Sequence, residues 1–263
     1  GVLWSHDDGG GPLRLVALDR RAELLGSFVV PTVEVEDVED IAIGPGPRGS
    51  YHLYLGDLGD NDERRESVSV VRLEEPELPG FGALLSESQG QRGFTDPLAE
   101  RRIPSSRVER FELRYPDRPR DAETLCVEPR SGDVYIVTKA TKGKRSAHVY
   151  RARAPLRSGV LEHVTRLRLG KGALEEVSHT RVTGGDIAPS GEELVLRTRD
   201  EALLWRKPPG CGWGRALMLR PWRVALSGHE QGEAIAFSGE DGGSLYTLGE
   251  GRREPLIRLP RLG

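Results

Sequence analysis

The chain of 263 residues has a formal net charge of −3, because its 38 basic and 41 acidic side chains nearly balance. This balance excludes the basic surface typical of a nucleic-acid-binding protein, and no apolar run approaches the roughly 20 residues of a membrane-spanning helix. With 33 glycines, 18 prolines and short apolar runs, the composition predicts an all-β fold of many strands joined by turns, in a single domain over residues 1–263.

The N-terminal part of the chain predicts several short strands. LWSHDD (residues 3–8) has an aromatic residue, Trp4, at its second position, and PLRLVALD (12–19) follows it as a further strand. VEDIAIG (38–44) then places two carboxylates directly before an apolar run, and SVSVVRL (67–73) reads as another strand.

A pair of strand patterns recurs along the chain, which indicates an internal repeat. The first pattern combines an acid with a large aliphatic and then a small residue, in EDIAI (39–43), ETLCV (123–127), GDIAP (185–189) and EAIAF (233–237). The second has an aromatic residue at its second position in most copies, which are LWSHDD (3–8), LYLGDL (53–58), VYIVTK (134–139), LVLRTR (194–199) and LYTLGE (245–250). In one copy of the first pattern Gly185 replaces the leading Glu, and Asp186 supplies the acid one place later.

A repeat of strand, turn, strand and strand predicts a β-propeller. We expect about five four-stranded blades, with a six-bladed parent that has lost one blade as the alternative. The first blade lacks its inner strand, because LWSHDD matches the second strand of the other copies, and that strand is either trimmed away upstream or replaced by C-terminal chain. A β-sandwich is the competing interpretation, but sandwiches do not repeat internally in this way. The aromatic positions are about 50, 80, 60 and 50 residues apart, and the long interval contains the polar segment 79–107, which we interpret as a loop insertion.

The geometry of a blade predicts that the acids of the repeat meet at one mouth of the central channel. The inner strand runs from one face of the propeller to the other and the second strand returns, so the start of the first and the end of the second share a face. The candidate metal ligands at this face are Glu39, Asp57, Asn61, Glu123, Asp186 and Glu233. Crowded carboxylates repel one another, and Ca²⁺, which accepts about six to eight oxygen ligands, would relieve that repulsion. The alternative is structural, with the acids accepting hydrogen bonds from backbone amides or pairing with Lys and Arg at the same face.

Four basic residues are further candidates for chemistry at this mouth. Lys139 and Arg197 end second strands and could bind the phosphate or carboxylate of an anionic ligand, or could pair with the acids. His6 and His229 are candidate general bases beside a metal-bound water, because neutral imidazole has a suitable pKa. The alternative for both histidines is an ordinary solvated position in a loop.

The chain resembles a group of uncharacterised, often exported bacterial β-propeller proteins in the segments LWSHDDGG, VEDIAIG, YLGDLGDN, DAETL, GGDIAPSG and QGEAIAF. It is more distantly similar to the calcium-dependent propeller superfamily of gluconolactonases, paraoxonase-type lactonases and strictosidine-synthase-like proteins. This resemblance implies a Ca²⁺ in the channel held by Glu, Asp and Asn side chains, with Glu39 matching the ligand at a blade start. It also implies an extracellular or periplasmic location.

Two functions of different classes follow from these observations. A metal-dependent hydrolase of lactones, esters or phosphoesters would use the metal to polarise its substrate and to lower the pKa of a bound water, with a His or Glu as base. A non-catalytic propeller would instead bind a small molecule, a glycan or a protein partner across its face, and its acids would be structural. Acids that are already paired with Lys, Arg or backbone amides favour the binding protein.

Overall fold

The structure, a computed structural model, describes residues 1–7, 10–78, 99–140, 146–169, 181–229, 231–239, 243–251 and 254–260. The strands in these residues are β1 (Leu3–His6), β2 (Gly11–Leu18), β3 (Leu24–Val35), β4 (Val38–Pro45), β5 (Tyr51–Asp57), β6 (Val68–Glu74), β7 (Glu100–Arg102), β8 (Val108–Arg114), β9 (Ala122–Val127), β10 (Val134–Thr138), β11 (Ser146–Ala152), β12 (Gly159–Val160), β13 (Glu162–Arg168), β14 (Val182–Ile187), β15 (Glu193–Thr198), β16 (Glu201–Arg206), β17 (Trp222–Ala225), β18 (Gly232–Phe237), β19 (Leu245–Gly249) and β20 (Ile257–Leu259). The helical elements in the same residues are the 3₁₀ turns Pro47–Gly49 and Ser105–Arg107 and the short α-helix Trp213–Ala216. No helix in the described ranges is long and apolar enough to cross a membrane.

The strands form five sheets around a central channel, so the protein is a five-bladed β-propeller, as the repeat predicted. From the channel outward, blade 1 is β1-β2-β3-β7, blade 2 is β4-β5-β6-β8-β12 and blade 3 is β9-β10-β11-β13. Blade 4 is β14-β15-β16-β17, and blade 5 is β18-β19-β20. The start of each inner strand in blades 2 to 5 pairs with the end of the second strand, as Val38 pairs with Asp57 and Gly232 with Gly249.

Blade 1 differs from the others at the channel. Its channel-side strand is β1, the segment that matches the second strand of the other copies. On its outer side β1 pairs with β2, from Leu3 opposite Leu18 to His6 opposite Leu15. No strand of the described residues pairs with the inner edge of β1, which confirms that blade 1 lacks an inner strand there.

Part of the predicted loop insertion is a strand. β7 pairs in parallel with the outer edge of β3, and the Arg101 guanidinium lies 5.6 Å from the centre of the Phe28 ring. Without β7, the outer edge of β3 would have no partner strand. Pairing with that edge and the cation–π contact explain why the charged segment Glu100–Arg102 forms a strand although its sequence has no strand pattern. Residues 79–98 of the insertion lie outside the described residues.

The hydrophobic core consists of clusters between neighbouring blades. Ala42 and Tyr54 of blade 2 pack with Leu125 of blade 3, and similar clusters join blades 1 and 2, blades 3 and 4, and blades 4 and 5. None of the four clusters found in the described residues joins blade 5 to blade 1.

Inner strands also approach one another closely. A side chain at Gly184 of β14 would collide with the backbone carbonyl oxygen of Glu233 in β18, so this crossing requires glycine. The hydroxyl of Thr183 donates to the carbonyl of Gly232 across the same boundary (2.8 Å). Close packing thus explains why Gly184 precedes the segment GDIAP and why Gly185 stands where the other copies have a leading Glu.

Candidate functional site

A pocket of about 570 Å³ lies on the propeller axis, between β1 of blade 1 and the inner strands of blades 2 and 5. Trp4 and Ser5 of β1 form one wall, and Ala234 and Ala236 of β18 with Tyr246 of β19 form the opposite wall. We call this cavity the axial pocket. It lies at the mouth where the inner strands begin, which is the face that the sequence predicted for the site.

Acidic residues dominate the charge of the axial pocket. Lys139 is the one Lys or Arg among the described residues that line it. The acids that line it are Asp7, Asp37, Glu39, Asp40, Glu123, Glu233 and Glu250. Of the candidate residues from the sequence, the pocket brings together His6, Glu39, Asn61, Glu123, Lys139 and Glu233.

Glycine at position 59 allows two of these acids to reach the turn after β5. A side chain at Gly59 would collide with the carboxylate oxygens of both Asp37 and Glu39. The amides of Leu58 and Gly59 donate to the backbone carbonyl of Asp37, at 3.0 and 3.2 Å. The GDLGDND segment therefore places Asp37 and Glu39 beside its own backbone.

Glu123 and Lys139 form an ion pair across the paired strands β9 and β10. Lys139 also lies 3.8 Å from Asp121, and its backbone amide donates to the Asp121 carbonyl at 2.9 Å. The side chain of Glu123 is only 8% exposed. Lys139 is therefore held by acids of its own blade, which is the structural alternative that the sequence allowed.

Asp57 lies behind the wall of the pocket and is fully buried. Its carboxylate accepts hydrogen bonds from the amides of Glu36 (3.1 Å) and Asp37 (3.0 Å) and from the Ser69 hydroxyl (3.0 Å). The guanidinium groups of Arg65 and Arg110 lie 3.1 and 3.3 Å from it. These partners account for its burial, and Asp57 organises the turn that leads into β4 rather than facing the pocket.

Asp186 also has a structural role, because its carboxylate connects blade 4 to blade 5. One carboxylate oxygen accepts the amide of Ile187 (2.8 Å) and the other accepts the amide of Phe237 in the next blade (2.8 Å). Burial raises the pKa of Asp186 to about 7, although these two hydrogen bonds lower it. Asp186 does not line the pocket.

Asp40 repeats this arrangement between blades 2 and 3. Its carboxylate accepts the amides of Ile41 and, in the next blade, Leu125, both at 2.9 Å. Burial raises the pKa of Asp40 well above its ordinary value, the two amides lower it, and the charge of Asp186 raises it further. Asp40 was not among the candidates from the sequence, although two of the four inner-strand copies carry Asp at this position, which was the available signal.

Arg197 and His229 lie beside the axial pocket and do not line it. Arg197 is 1% exposed and donates to the Thr247 hydroxyl, and its guanidinium fills the space over Gly232. Burial lowers the pKa of Arg197 to about 10, and the negative charges of Glu233 and Asp200 oppose this shift. His229 Nε2 lies 2.8 Å from the carbonyl of Pro255 and Nδ1 lies 3.5 Å from Arg197, so both ring nitrogens are engaged.

The donor atoms suit a hard cation, but their arrangement does not form a coordination cage. No group of three or more His, Cys, Asp or Glu side chains in the described residues is placed to hold a metal ion. Asp57 and Asp186 use their oxygens on amides, and Glu123 is paired with Lys139. A calcium site therefore stays a prediction that these residues do not fit.

No family model and no curated protein matches the chain. Among solved structures it is similar to the periplasmic gluconolactonase of Pseudomonas aeruginosa, with 11% identity and a TM-score of 0.48 over 100% of this chain and 68% of that one. A protein of Bacteroides fragilis provisionally assigned as a 6-phosphogluconolactonase has 11% identity and a TM-score of 0.45, over 99% and 67% of the two chains. An auxiliary nutrient binding protein of Bacteroides ovatus has 12% identity and a TM-score of 0.44, over 90% and 47%. The similar structures thus include gluconolactonase-like propellers and a binding protein, and at these identities they assign neither activity to this chain.

Proposed function

We propose that the protein is a binding module whose axial pocket holds a small cationic ligand. The observation that carries this proposal is the lining of the pocket, where the described residues include seven carboxylic acids and one lysine, and that lysine is paired with Glu123. A cleft lined by one sign of charge concentrates counter-ions, because its low-dielectric walls focus the field. An anionic ligand is disfavoured, since Lys139 is paired with Glu123 and Arg197 is buried.

Binding of a cation is favoured over catalysis by the state of the candidate groups. Glu123 has its cation, Asp57 and Asp186 have backbone donors, and His229 uses both ring nitrogens. Glu39 and Glu233 lie in the pocket itself, where their carboxylates contribute to its negative potential. A protonated amine would offset that potential and needs no coordination cage.

The test is calorimetric titration of the protein with spermidine, Ca²⁺ and Mg²⁺ at low ionic strength. We expect binding of spermidine in preference to either metal ion, weakened about tenfold by Glu39→Gln or Glu233→Gln, because each variant removes one charge from the pocket. Glu192→Gln is the matched control, since Glu192 is exposed and pairs with Arg130 in the turn at the opposite end of the channel. Absence of cation binding, or equal affinity of all three variants, would refute the proposal.

A hydrolase of lactones or esters is the second candidate, and the position of His6 favours it. His6 lines the axial pocket together with Glu39, so an imidazole lies at the wall of the space that a substrate would occupy, with its Nδ1 3.1 Å from the Asp7 carbonyl. In that case His6→Ala lowers lactone turnover at least about a hundredfold, while His163→Ala, on the outer strand β13, leaves it unchanged. If a panel of lactones and esters shows binding but no turnover, the hydrolase is rejected.

A further inference from the structure

We infer that the axial pocket takes an extended peptide segment, which pairs with the inner edge of β1 as the inner strand of blade 1 and carries a basic residue at its N-terminal end. This inference deepens the proposed function and rests on it, because it assigns a class of ligand to the same cationic site. Three independent features of the described residues support it.

The first feature is the column of small residues in the inner strands. Ala42, Cys126 and Ala188 are 6%, 0% and 1% exposed, and each belongs to a core cluster shared with the next blade. Ala236 is the equivalent residue of blade 5, yet it lines the axial pocket and belongs to none of these clusters. The surface of blade 5 that would pack against an inner strand of blade 1 thus faces the pocket.

The second strands support the same first feature, that the blade-5 side of the pocket resembles a surface that normally packs against a neighbouring blade. Tyr54, Tyr135 and Val195 pack in clusters shared with the following blade. Tyr246, at the equivalent position of blade 5, instead lines the pocket. The wall formed by Tyr246 and the two alanines of β18 has the apolar, small-residue character of an interface between blades.

The second feature is the edge of β1. A strand edge presents backbone N–H and C=O groups that can pair with an added strand, as in peptide recognition by β-augmentation. β1 pairs only with β2 among the described strands, and Leu3 to Asp7 line the pocket. An added strand about 4.8 Å from β1 would therefore lie inside the pocket.

The third feature is charge, which selects the composition and the direction of the peptide. Inner strands run antiparallel to second strands, and β1 matches a second strand, so the bound peptide runs antiparallel to β1 with its N-terminal end at the mouth. Asp7, Glu39, Glu233 and Glu250 lie at that end. A lysine or arginine at the start of the peptide offsets these charges. The inner strands β9, β14 and β18 have six residues each, which sets the length of the segment.

The experiment titrates the full chain with the acetylated peptide Lys-Thr-Ile-Ala-Val-Ser amide and with spermidine, and measures affinity and hydrogen exchange of the amides. Two further peptides carry N-methyl groups on alternate residues, one set at odd and the other at even positions. Only one set faces β1, so we expect that set to weaken binding at least about tenfold and the other to have little effect. Peptide binding should also slow exchange of amides in residues 3–6.

Ala236→Leu provides a second readout, because the larger side chain would occupy the space for the peptide. It should abolish peptide binding, whereas Ala225→Leu, on the exposed end of β17, should leave peptide binding unchanged. The N-methyl comparison uses the unaltered protein, so it remains decisive if a variant fails to fold.

The outcomes separate the inference from the function on which it rests. Binding of spermidine with no peptide affinity, or peptide affinity that neither N-methyl set changes, overturns the strand assignment and leaves the cationic pocket intact. No binding of any cation or peptide overturns both. A dimer that dissociates on addition of peptide would assign the position to a second copy of the chain and would also overturn the inference.

Discussion

Replacing Asp186 by Asn should remove the pH dependence of stability that this buried acid imposes. Burial raises the pKa of Asp186 from 3.8 to about 7 in the folded protein. The folded state therefore keeps this proton to higher pH than the unfolded chain does. Its contribution to the free energy of unfolding is fully present below the unfolded pKa and is lost as pH rises through the folded pKa.

The magnitude follows from the size of the shift. A rise of about three pKa units corresponds to about 4 kcal/mol in total, of which roughly 2 to 3 kcal/mol falls between pH 5 and pH 8. Asp186→Asn keeps the shape and removes the titration, at the cost of about 1 kcal/mol for one weakened hydrogen bond to Phe237 or Ile187. The variant should be less stable than the unaltered protein at pH 5 and more stable at pH 8.

Urea unfolding at pH 5, 6, 7 and 8 measures this crossover directly. The quantity of interest is the difference between variant and unaltered protein at each pH, because titrating groups that do not interact with Asp186 cancel in it. Asp62→Asn is the control for the same chemical change at a solvated position, since the Asp62 side chain is 71% exposed. A difference for Asp186→Asn that does not change with pH would show that the carboxylate is ionised in the fold, and would refute the reasoning.

Three other substitutions test the packing and ion pairs of the site by the same unfolding assay. Gly184→Ala should destabilise the protein by about 1 to 3 kcal/mol, because its methyl group would collide with the carbonyl of Glu233; an unchanged stability would mean that the inner strands can separate there. Glu123→Gln should destabilise by about 1 to 2 kcal/mol with or without added Ca²⁺, because Lys139 loses its main partner, whereas a metal ligand would leave the metal-free fold unaffected. Asp57→Asn should cost about 3 kcal/mol or more, because two guanidinium groups and two amides lose a buried charge, and a loss below about 1 kcal/mol would contradict its structural role.

The fold was predictable because the repeat encodes a packing requirement at one position. The small residues Ala42, Cys126 and Ala188 are buried where one blade meets the next. Close packing of neighbouring blades therefore requires a small residue at the same position of each repeat, and this recurrence is visible in the sequence. β7 was not predictable in the same way. Its pairing depends on the free edge of β3 and on contact of Arg101 with Phe28, which lies far away in the sequence.

The candidate site was predicted in part, and the reason for the remainder lies in the alternation of side chains along a strand. The leading residues Glu39, Glu123 and Glu233 line the axial pocket. Asp186 lies one place later in its strand, so its side chain has the orientation of Asp40 and bonds to the next blade. Grouping Asp186 with the glutamates by charge alone ignored this alternation. Asp57 differs for another reason, since the contacts of Arg65 and Arg110 with its carboxylate could not be read from local sequence.

Acids that hold the blades together and acids that serve a ligand should respond to neutralisation with opposite signs. Asp57 is fully buried and accepts hydrogen bonds from backbone amides and arginines, so removing its charge should destabilise the fold. Glu250 is exposed in the axial pocket, and among the described residues its carboxylate accepts one hydrogen bond, from the Gln231 side-chain amide at 3.2 Å. Neutralising Glu250 removes repulsion among the acids of the mouth, so Glu250→Gln should leave the unfolding free energy unchanged or slightly raised while cation affinity falls. Such a loss of affinity without loss of stability is what separates a binding pocket from a ring of structural acids.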